Sequence, residues 1–200
     1  MITTIIFDLS EVYLTGLLGA EHNLEKILGI KANEIKRGLT GPELAAFFHG
    51  ELTEDEYWLR IIEKHKWKAS AGELKKAVRK NFNEIEGTRK IMEQLKEDGF
   101  RLGLLSVHTR EWVDYCEGKF GYHKLFHSTL YSFEAAASKP DKKVYRMILT
   151  KLKSSPEECI FIDDHPENLI PAREMGMKAV LFKNSRQLKR DLAFLGIAVR

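Results

Sequence analysis

The sequence predicts an α/β fold in which a parallel sheet is flanked by helices. Short apolar runs rich in β-branched residues recur along the chain, and helical patterns separate them. A continuous apolar run is typical of a strand covered on both faces, and strands that alternate with helices indicate a parallel sheet. The predicted strands span residues 2–7, 100–105, 159–162 and 177–182.

Three helices are predicted around these strands from apolar spacing and from start and stop signals. They span residues 88–97, 141–152 and 166–175, each with apolar side chains three or four positions apart. The last of them begins at Pro166 and stops before Gly176, which is the usual order of the two residues at helix ends.

Residues 17–86 contain successive helical patterns and no predicted strand. The clearest helix follows Thr53, which suits an N-cap, with Glu56 at the third helical position. We therefore predict a helical insert over residues 17–86, placed above the sheet. The sheet and its helices would then be formed by residues 1–16 and 87–200.

The composition excludes several classes of protein. The 200 residues include 32 Lys and Arg and 29 Asp and Glu, a net charge of +3 that gives no reason to expect nucleic acid or an anionic membrane as a partner. No segment approaches the roughly 18 unbroken apolar residues of a membrane span. Two cysteines, Cys116 and Cys159, are too few for a disulfide framework, and the sequence opens without a basic leader. We therefore expect reduced, packed cysteines in a cytoplasmic protein.

Acidic residues follow the ends of the predicted strands. Asp8 comes directly after the first strand, Ser106 after the second, and Asp163 and Asp164 after a later one. The carboxyl ends of parallel strands meet at one edge of the sheet, where ligands bind in folds of this class. Three carboxylates at that edge would repel one another, and a hard divalent cation such as Mg²⁺ would relieve the repulsion. The sequence therefore predicts a Mg²⁺ site at this edge.

These residues resemble the four signature motifs of the haloacid dehalogenase (HAD) superfamily. The motifs correspond to residues 5–9, 104–106, 138–141 and 161–164, with Asn168 shortly after the last. The likeness covers nearly the whole chain and includes the helical insert, which looks like the C1-type cap of the smaller sugar-phosphatase-like members. It implies a Rossmann-like core with an inserted helical cap, and a Mg²⁺-dependent phosphatase acting on a small phosphorylated metabolite.

The resemblance also implies catalytic roles. Asp8 would be the nucleophile that attacks phosphorus and forms an aspartyl-phosphate intermediate. Ser106 would hold a phosphoryl oxygen through its hydroxyl group. Lys139 would neutralise both Asp8 and the transferring phosphoryl group.

The same resemblance implies the metal ligands. Asp8, Asp164 and the backbone carbonyl of Ser10 would bind Mg²⁺, and Asp163 would act through a coordinated water. Asn168 would orient the acid pair.

The sequence departs from the family pattern at Ser10, where phosphatases of the family usually carry a second aspartate for proton transfer. General acid–base help is worth about 10²–10⁴-fold in rate. Glu11, His108 or His165 could carry the proton instead, or the substrate could have a good leaving group. The alternative is a phosphate-binding or regulatory protein with little chemistry. A second departure is Val107, at a position where family members often have asparagine. It weakens the inference of substrate specificity more than the inference of phosphate binding.

Two further expectations concern the reaction class and the insert. The family name raises a 2-haloacid dehalogenase, which needs no metal, but the Asp163–Asp164 pair favours phosphoryl transfer. The aromatic residues of the insert follow helix faces, so we expect them to pack between helices and not to stack on substrate. They are Phe47, Phe48, Tyr57, Trp58 and Trp67.

Overall fold

The chain forms a five-stranded, all-parallel sheet with helices on both faces, which confirms the predicted α/β class. A computed structural model describes residues 1–199. The strands are β1 (Thr4–Phe7), β2 (Arg101–Ser106), β3 (Ser128–Tyr131), β4 (Cys159–Asp163) and β5 (Lys178–Leu181). Their order across the sheet is β3-β2-β1-β4-β5, so β1 lies at the centre between β2 and β4.

The strand that sequence reasoning missed is β3, at one edge of the sheet. Its first two residues, Ser128 and Thr129, are half-buried, and only Leu130 and Tyr131 are buried. Since only two of its four residues are apolar, β3 lacks the apolar run by which the other four strands were found.

The helices lie where the sequence predicted them, within a residue or two at each end. Thr53 caps its helix by accepting a hydrogen bond from the amide of Glu56, and the carboxylate of Glu56 binds back to the amide of Thr53. The α-helices are α1 (Glu21–Leu28), α2 (Ala32–Leu39), α3 (Pro42–Phe48), α4 (Glu54–His65), α5 (Ala71–Arg79), α6 (Thr88–Glu97), α7 (Arg110–Phe120), α8 (Ser132–Ala135), α9 (Lys142–Leu152), α10 (Pro166–Glu174) and α11 (Ser185–Phe194). Among the described residues, no helix has the length and apolarity needed to cross a membrane.

The two faces of the sheet belong to different apolar clusters. Ile5 and Phe7 point into the larger cluster, and Ile6 points into the smaller one on the opposite face. At Gly103 in β2 the helix α9 packs against the backbone, because a Cβ there would lie 2.5 Å from Cδ1 of Leu152. The sheet is therefore buried on both sides, as its unbroken apolar strands require.

Helices α1–α5 lie between β1 and β2 in the chain, within the predicted insert. Their buried side chains, among them Leu24, Tyr57 and Leu74, join the same apolar cluster as Phe7 of the central strand. The insert therefore packs continuously against one side of the core. Its domain boundaries at residues 17 and 86 stay a prediction.

Candidate active site

Three carboxyl groups meet where the central strands end. Asp8 follows β1, Asp163 is the last residue of β4, and Asp164 comes next; one oxygen of each lies within 4.8 Å of the others. The amide of Asp8 donates a 2.9 Å hydrogen bond to the carbonyl of Ile162, which fixes the end of β1 against β4. The strand register thus brings together acids that are 155 positions apart in the chain.

Lys139 lies buried among these acids. Its Nζ atom is 2.9 Å from Oδ2 of Asp8 and 2.6 Å from Oδ2 of Asp163. Burial alone lowers the pKa of Lys139, but the charges of Asp8 and Asp163 outweigh it, and the net shift is upward. The side chain therefore stays an ammonium and supplies one fixed positive charge.

One ammonium does not balance three carboxylates. Burial raises the pKa of Asp8 to about 7; Lys139 opposes the rise, while the charges of Asp163 and Asp164 add to it. A divalent cation would favour the ionised form of Asp8. The donor set, carboxylate oxygens alone, is of the kind that Mg²⁺ binds.

The two neighbouring acids differ in how their oxygens are used. Asp163 accepts hydrogen bonds at Oδ1 from the amide of His165 (2.8 Å) and from Nδ2 of Asn168 (3.0 Å), and Lys139 occupies Oδ2. Oδ1 of Asp164 is buried and has no hydrogen-bond partner among the described residues. An unpartnered buried carboxylate oxygen is costly without a cation or a water, so the residues present fit a metal ion bound at Asp164.

Ser106 ends β2 beside these acids, and its side chain is 2 % exposed. Its Oγ atom also lacks a hydrogen-bond partner among residues 1–199. A buried hydroxyl of this kind is available to a ligand oxygen, and the next two residues of the chain, Val107 and His108, line the cavity.

Ser10 and Glu11 stand on the cavity wall. Glu11 adopts a left-handed backbone conformation (φ 58°), and its Oε1 atom accepts a 2.7 Å hydrogen bond from the amide of Gly16. Burial raises the pKa of Glu11. The nearest carboxyl to the Ser10 position along the chain is therefore turned back onto its own loop.

His108 is buried and lines the same cavity. Its Nδ1 atom accepts a 3.0 Å hydrogen bond from the amide of Thr109, so in the neutral ring the proton lies on Nε2. Burial lowers the pKa of His108 to about 4, with the bond from Thr109 opposing the shift. Near neutral pH the ring is an uncharged hydrogen-bond donor and holds no second proton to give.

His165, by contrast, is exposed at the edge of the cavity. Its Nε2 atom is 3.4 Å from Oδ2 of Asp164, and its Nδ1 atom is 3.3 Å from Oε1 of Glu167. The imidazole is thus held between two carboxylates.

The cavity has a volume of about 320 Å³ and a mixed lining. Its charged lining residues include Asp8, Lys139 and Asp164, with Glu11, His165 and Glu167. Its apolar lining, the apolar wall, consists of Leu17, Leu18, Phe48, Val107 and Trp112.

The apolar wall contains residues that sequence reasoning missed. Of the insert's aromatic residues, Phe47, Tyr57, Trp58 and Trp67 are buried, as expected for packing. Phe48 is half-buried and packs against the core as well, but it also lines the cavity, because the helix α3 ends there. Trp112 lies in the first turn of α7, directly after the loop that begins at Ser106; that position is the signal that could have found it.

A model of the haloacid dehalogenase-like hydrolase family matches residues 15–182 of the chain. The match covers most of the chain but begins after Asp8, so the position of Asp8 in the site rests on the geometry described above.

Two curated relatives are named as a hydrolase and a phosphatase. Flavin mononucleotide hydrolase 1 of Arabidopsis thaliana is 32 % identical over 126 residues, which are 63 % of this chain and 51 % of that protein. Glyceraldehyde 3-phosphate phosphatase of Pyrococcus furiosus is 25 % identical over 116 residues, 56 % of this chain and 48 % of that protein. The chain thus spans about half the length of these relatives.

A solved structure shares the fold. The crystal structure of a HAD family enzyme of Bacteroides thetaiotaomicron, in complex with magnesium and inorganic phosphate, superposes with a TM-score of 0.78 at 22 % identity and covers 92 % of this chain and 96 % of that one. The parallel sheet, the acids at its edge and the matched family model agree, and they confirm the predicted family. The chain belongs to the haloacid dehalogenase-like hydrolases.

Proposed function

We propose that the protein is a Mg²⁺-dependent phosphatase that hydrolyses a small phosphorylated metabolite through an aspartyl-phosphate on Asp8. The observation that carries the proposal is the contact of Lys139 with Asp8, 2.9 Å from Nζ to Oδ2, beside the unpartnered oxygen of Asp164. The plant and archaeal relatives, named for flavin mononucleotide and glyceraldehyde 3-phosphate, support a small phosphate ester as the substrate class.

In the first step a carboxylate oxygen of Asp8 attacks phosphorus. The bond from phosphorus to the ester oxygen breaks, and its electron pair stays on the leaving oxygen. Lys139 balances the negative charge around Asp8, and the hydroxyl of Ser106 donates to a phosphoryl oxygen. Water then attacks phosphorus, which releases inorganic phosphate and regenerates the Asp8 carboxylate.

The residues that would hold Mg²⁺ are Asp8, Asp164 and the backbone carbonyl of Ser10, with Asp163 acting through water. When bound, the ion neutralises the phosphoryl oxygens as charge builds up on them. Asp163 is held by Lys139 and Asn168, so its part is to keep the acid pair in position.

The insert over residues 17–86 would act as a cap over this site. Leu17, Leu18 and Phe48 from that segment line the cavity, and their apolar side chains would limit the water around a bound ester. A cytoplasmic location stays a prediction.

One observation favours a second candidate, a phosphate-binding protein with little turnover. Ser10 places a hydroxyl where the family usually has a carboxyl, and neutral His108 does not replace it as an acid. A dehalogenase is disfavoured, because it needs no metal ion and therefore gives no role to the unpartnered oxygen of Asp164.

The deciding experiment measures phosphate release from a panel of phosphate esters with Mg²⁺ and after chelation. We expect turnover that chelation removes and that Asp8→Asn abolishes. Asp98→Asn, an exposed acid on the far end of α6, is the matched control and should keep full activity. Equal turnover by Asp8→Asn and the parent would end the proposal. Binding of inorganic phosphate without turnover of any ester would instead support the second candidate.

A further inference from the structure

The apolar residues that line the cavity come mostly from the helical insert, while its charged lining comes from Asp8, Lys139 and Asp164 and from Glu11, His165 and Glu167. Of residues 17–86, those that line the cavity are Leu17, Leu18 and Phe48, all apolar. Val107 and Trp112 complete that wall. Such a surface offers nothing for a second phosphate or a carboxylate and few partners for sugar hydroxyl groups, whose burial without hydrogen bonds is unfavourable.

Three aromatic rings in the cavity lining, those of Phe48, His108 and Trp112, contact one another. The ring centroids of Phe48 and Trp112 are 6.2 Å apart at 82°, and those of His108 and Trp112 are 5.8 Å apart at 87°. Both are edge-to-face arrangements, which a further aromatic ring can extend. The wall therefore suits a flat apolar group better than a flexible polar one.

Two of these rings are held in place before any ligand arrives. Nε1 of Trp112 donates a 2.8 Å hydrogen bond to Glu54, and Nδ1 of His108 accepts one of 3.0 Å from the amide of Thr109. At Phe48 the backbone is held, since the hydroxyl of Ser132 donates to its carbonyl (2.6 Å). The rings of Trp112 and His108 therefore lose little side-chain freedom on binding.

Leu18 lies at the mouth of the cavity and is 55 % exposed. An exposed leucine by itself needs no explanation. Here it continues the apolar wall from Phe48 and Trp112, so a bound apolar group would cover it.

The chemistry of the site also restricts the leaving group. The Ser10 hydroxyl is a poor acid, and Oε1 of Glu11 is already bound by the amide of Gly16. Without a proton donor, the leaving oxygen must carry the electron pair of the broken bond as an anion. A phenol, with a pKa of about 10, does this far more readily than an aliphatic alcohol, whose acidity is close to that of water at about 15.7.

We propose that the substrate is the phosphate monoester of a small, uncharged aromatic alcohol, with its phosphoryl group at Asp8 and its ring against Phe48 and Trp112. This inference rests on the proposed phosphatase function. Asp8 takes the phosphoryl group, and the aromatic oxygen leaves as an aryl oxide. One water then attacks the phosphorus of the aspartyl-phosphate, which releases phosphate and frees Asp8, and the proton that this water gives up passes through solvent to the aryl oxide. The sum is one ester and one water giving a phenol and inorganic phosphate, with no further reactant.

Binding experiments test the preference for an aromatic ring, and turnover experiments test the requirement for a good leaving oxygen. Calorimetry with Mg²⁺ would compare benzylphosphonate with 2-hydroxyethylphosphonate, neither of which can be hydrolysed at phosphorus, and with inorganic phosphate. We expect benzylphosphonate to bind at least about ten-fold more tightly than the hydroxyethyl compound. In turnover, phenyl phosphate should exceed benzyl phosphate by about 100-fold or more in kcat, because the two share a ring and differ in the leaving oxygen.

A matched pair of variants tests the wall. Leu18→Gln should lower kcat/KM for phenyl phosphate about ten-fold. Leu59→Gln changes a leucine of α4 that is 60 % exposed and does not line the cavity, and it should leave kcat/KM unchanged.

The outcomes distinguish a failure of the aromatic-substrate inference from a failure of the proposed phosphatase function. If inorganic phosphate binds and esters are hydrolysed, but the hydroxyethyl compound binds as tightly as the benzyl compound, the inference is overturned and the phosphatase stands. Equal kcat for benzyl and phenyl phosphate would likewise overturn it, since a group such as Glu11 or His165 would then supply the proton. Absence of both phosphate binding and turnover would remove the proposed function itself.

Discussion

Nε1 of Trp112 donates a 2.8 Å hydrogen bond to Oε1 of Glu54, a carboxylate that is only 2 % exposed. The bond joins the first turn of α7 to the first turn of α4. The other oxygen of Glu54 forms an ion pair with Arg79 of α5, so one acid links two helices of the insert to the wall of the cavity. The buried carboxylate of Glu54 is stable because each of its oxygens contacts a hydrogen-bond donor, Trp112 or Arg79.

Glu54→Gln should destabilise the protein by about 1–3 kcal/mol, because the amide keeps an acceptor for Trp112 but loses the charge that faces Arg79. The figure is below that of a fully buried pair, since the side chain of Arg79 is partly exposed. Urea unfolding measures the change. Glu63→Gln, an exposed position on the same helix, is the control. A difference between the two variants of less than about 0.5 kcal/mol would contradict the prediction.

Gly103→Ala should cost about 1–3 kcal/mol, because the new Cβ would lie 2.5 Å from Cδ1 of Leu152 and force α9 away from the sheet. Gly118→Ala, in α7, meets no atom within 4 Å and should instead stabilise the helix by roughly 0.5–1 kcal/mol. Thermal or urea unfolding of both variants checks the prediction. The same sign for both changes would argue against close packing of α9 on β2.

The stability of the protein should fall in mild acid partly because of His108. Its pKa is about 4 in the folded protein, against an ordinary value of 6.5, so between these values the unfolded chain binds more protons than the folded one. The free energy of unfolding therefore decreases as the pH falls from 6.5 towards 4, with a slope of up to about 1.4 kcal/mol per pH unit from this group.

Replacing the ring removes that contribution. Urea unfolding of His108→Gln across this pH range should give a shallower slope than the parent, whatever the change in absolute stability. His22→Gln, at an exposed histidine, should keep the slope of the parent. Parallel curves for the parent and His108→Gln would mean that folding does not lower the pKa of His108.

Ser10→Asp should raise the rate of alkyl phosphate hydrolysis by about 10²–10⁴-fold if a general acid is the one catalytic group that the site lacks. Ser10→Asn has nearly the same shape without the proton and is the control. The measurement is kcat for an alkyl phosphate with Mg²⁺. No gain in Ser10→Asp over Ser10→Asn would show that another group already transfers the proton.

The sequence predicted the strands that bear the site because their burial on both faces leaves continuous apolar runs. Asp8, Asp163 and Asp164 could be placed together from the strand-end rule alone, and the structure has their oxygens within 4.8 Å. Their assignment as metal ligands stays a prediction. The strand β3 could not be found in this way, since only Leu130 and Tyr131 of its four residues are apolar.

The apolar wall could not be predicted, because it depends on directions of side chains from distant segments. Phe48 faces the cavity since α3 ends at that residue, and its carbonyl is bound by Ser132, 84 positions away. Nothing in the local pattern around Phe48 separates it from Phe47, which is buried between helices. The protonation of His108 likewise depends on burial, which a loop position in a sequence does not reveal.

The apolar cluster that unites Phe7 with Tyr57 and Leu74 has a mechanical consequence. Moving the helical segment away from the sheet would break up an apolar cluster that the two share. We therefore expect the helical segment and the sheet to melt together in one cooperative transition.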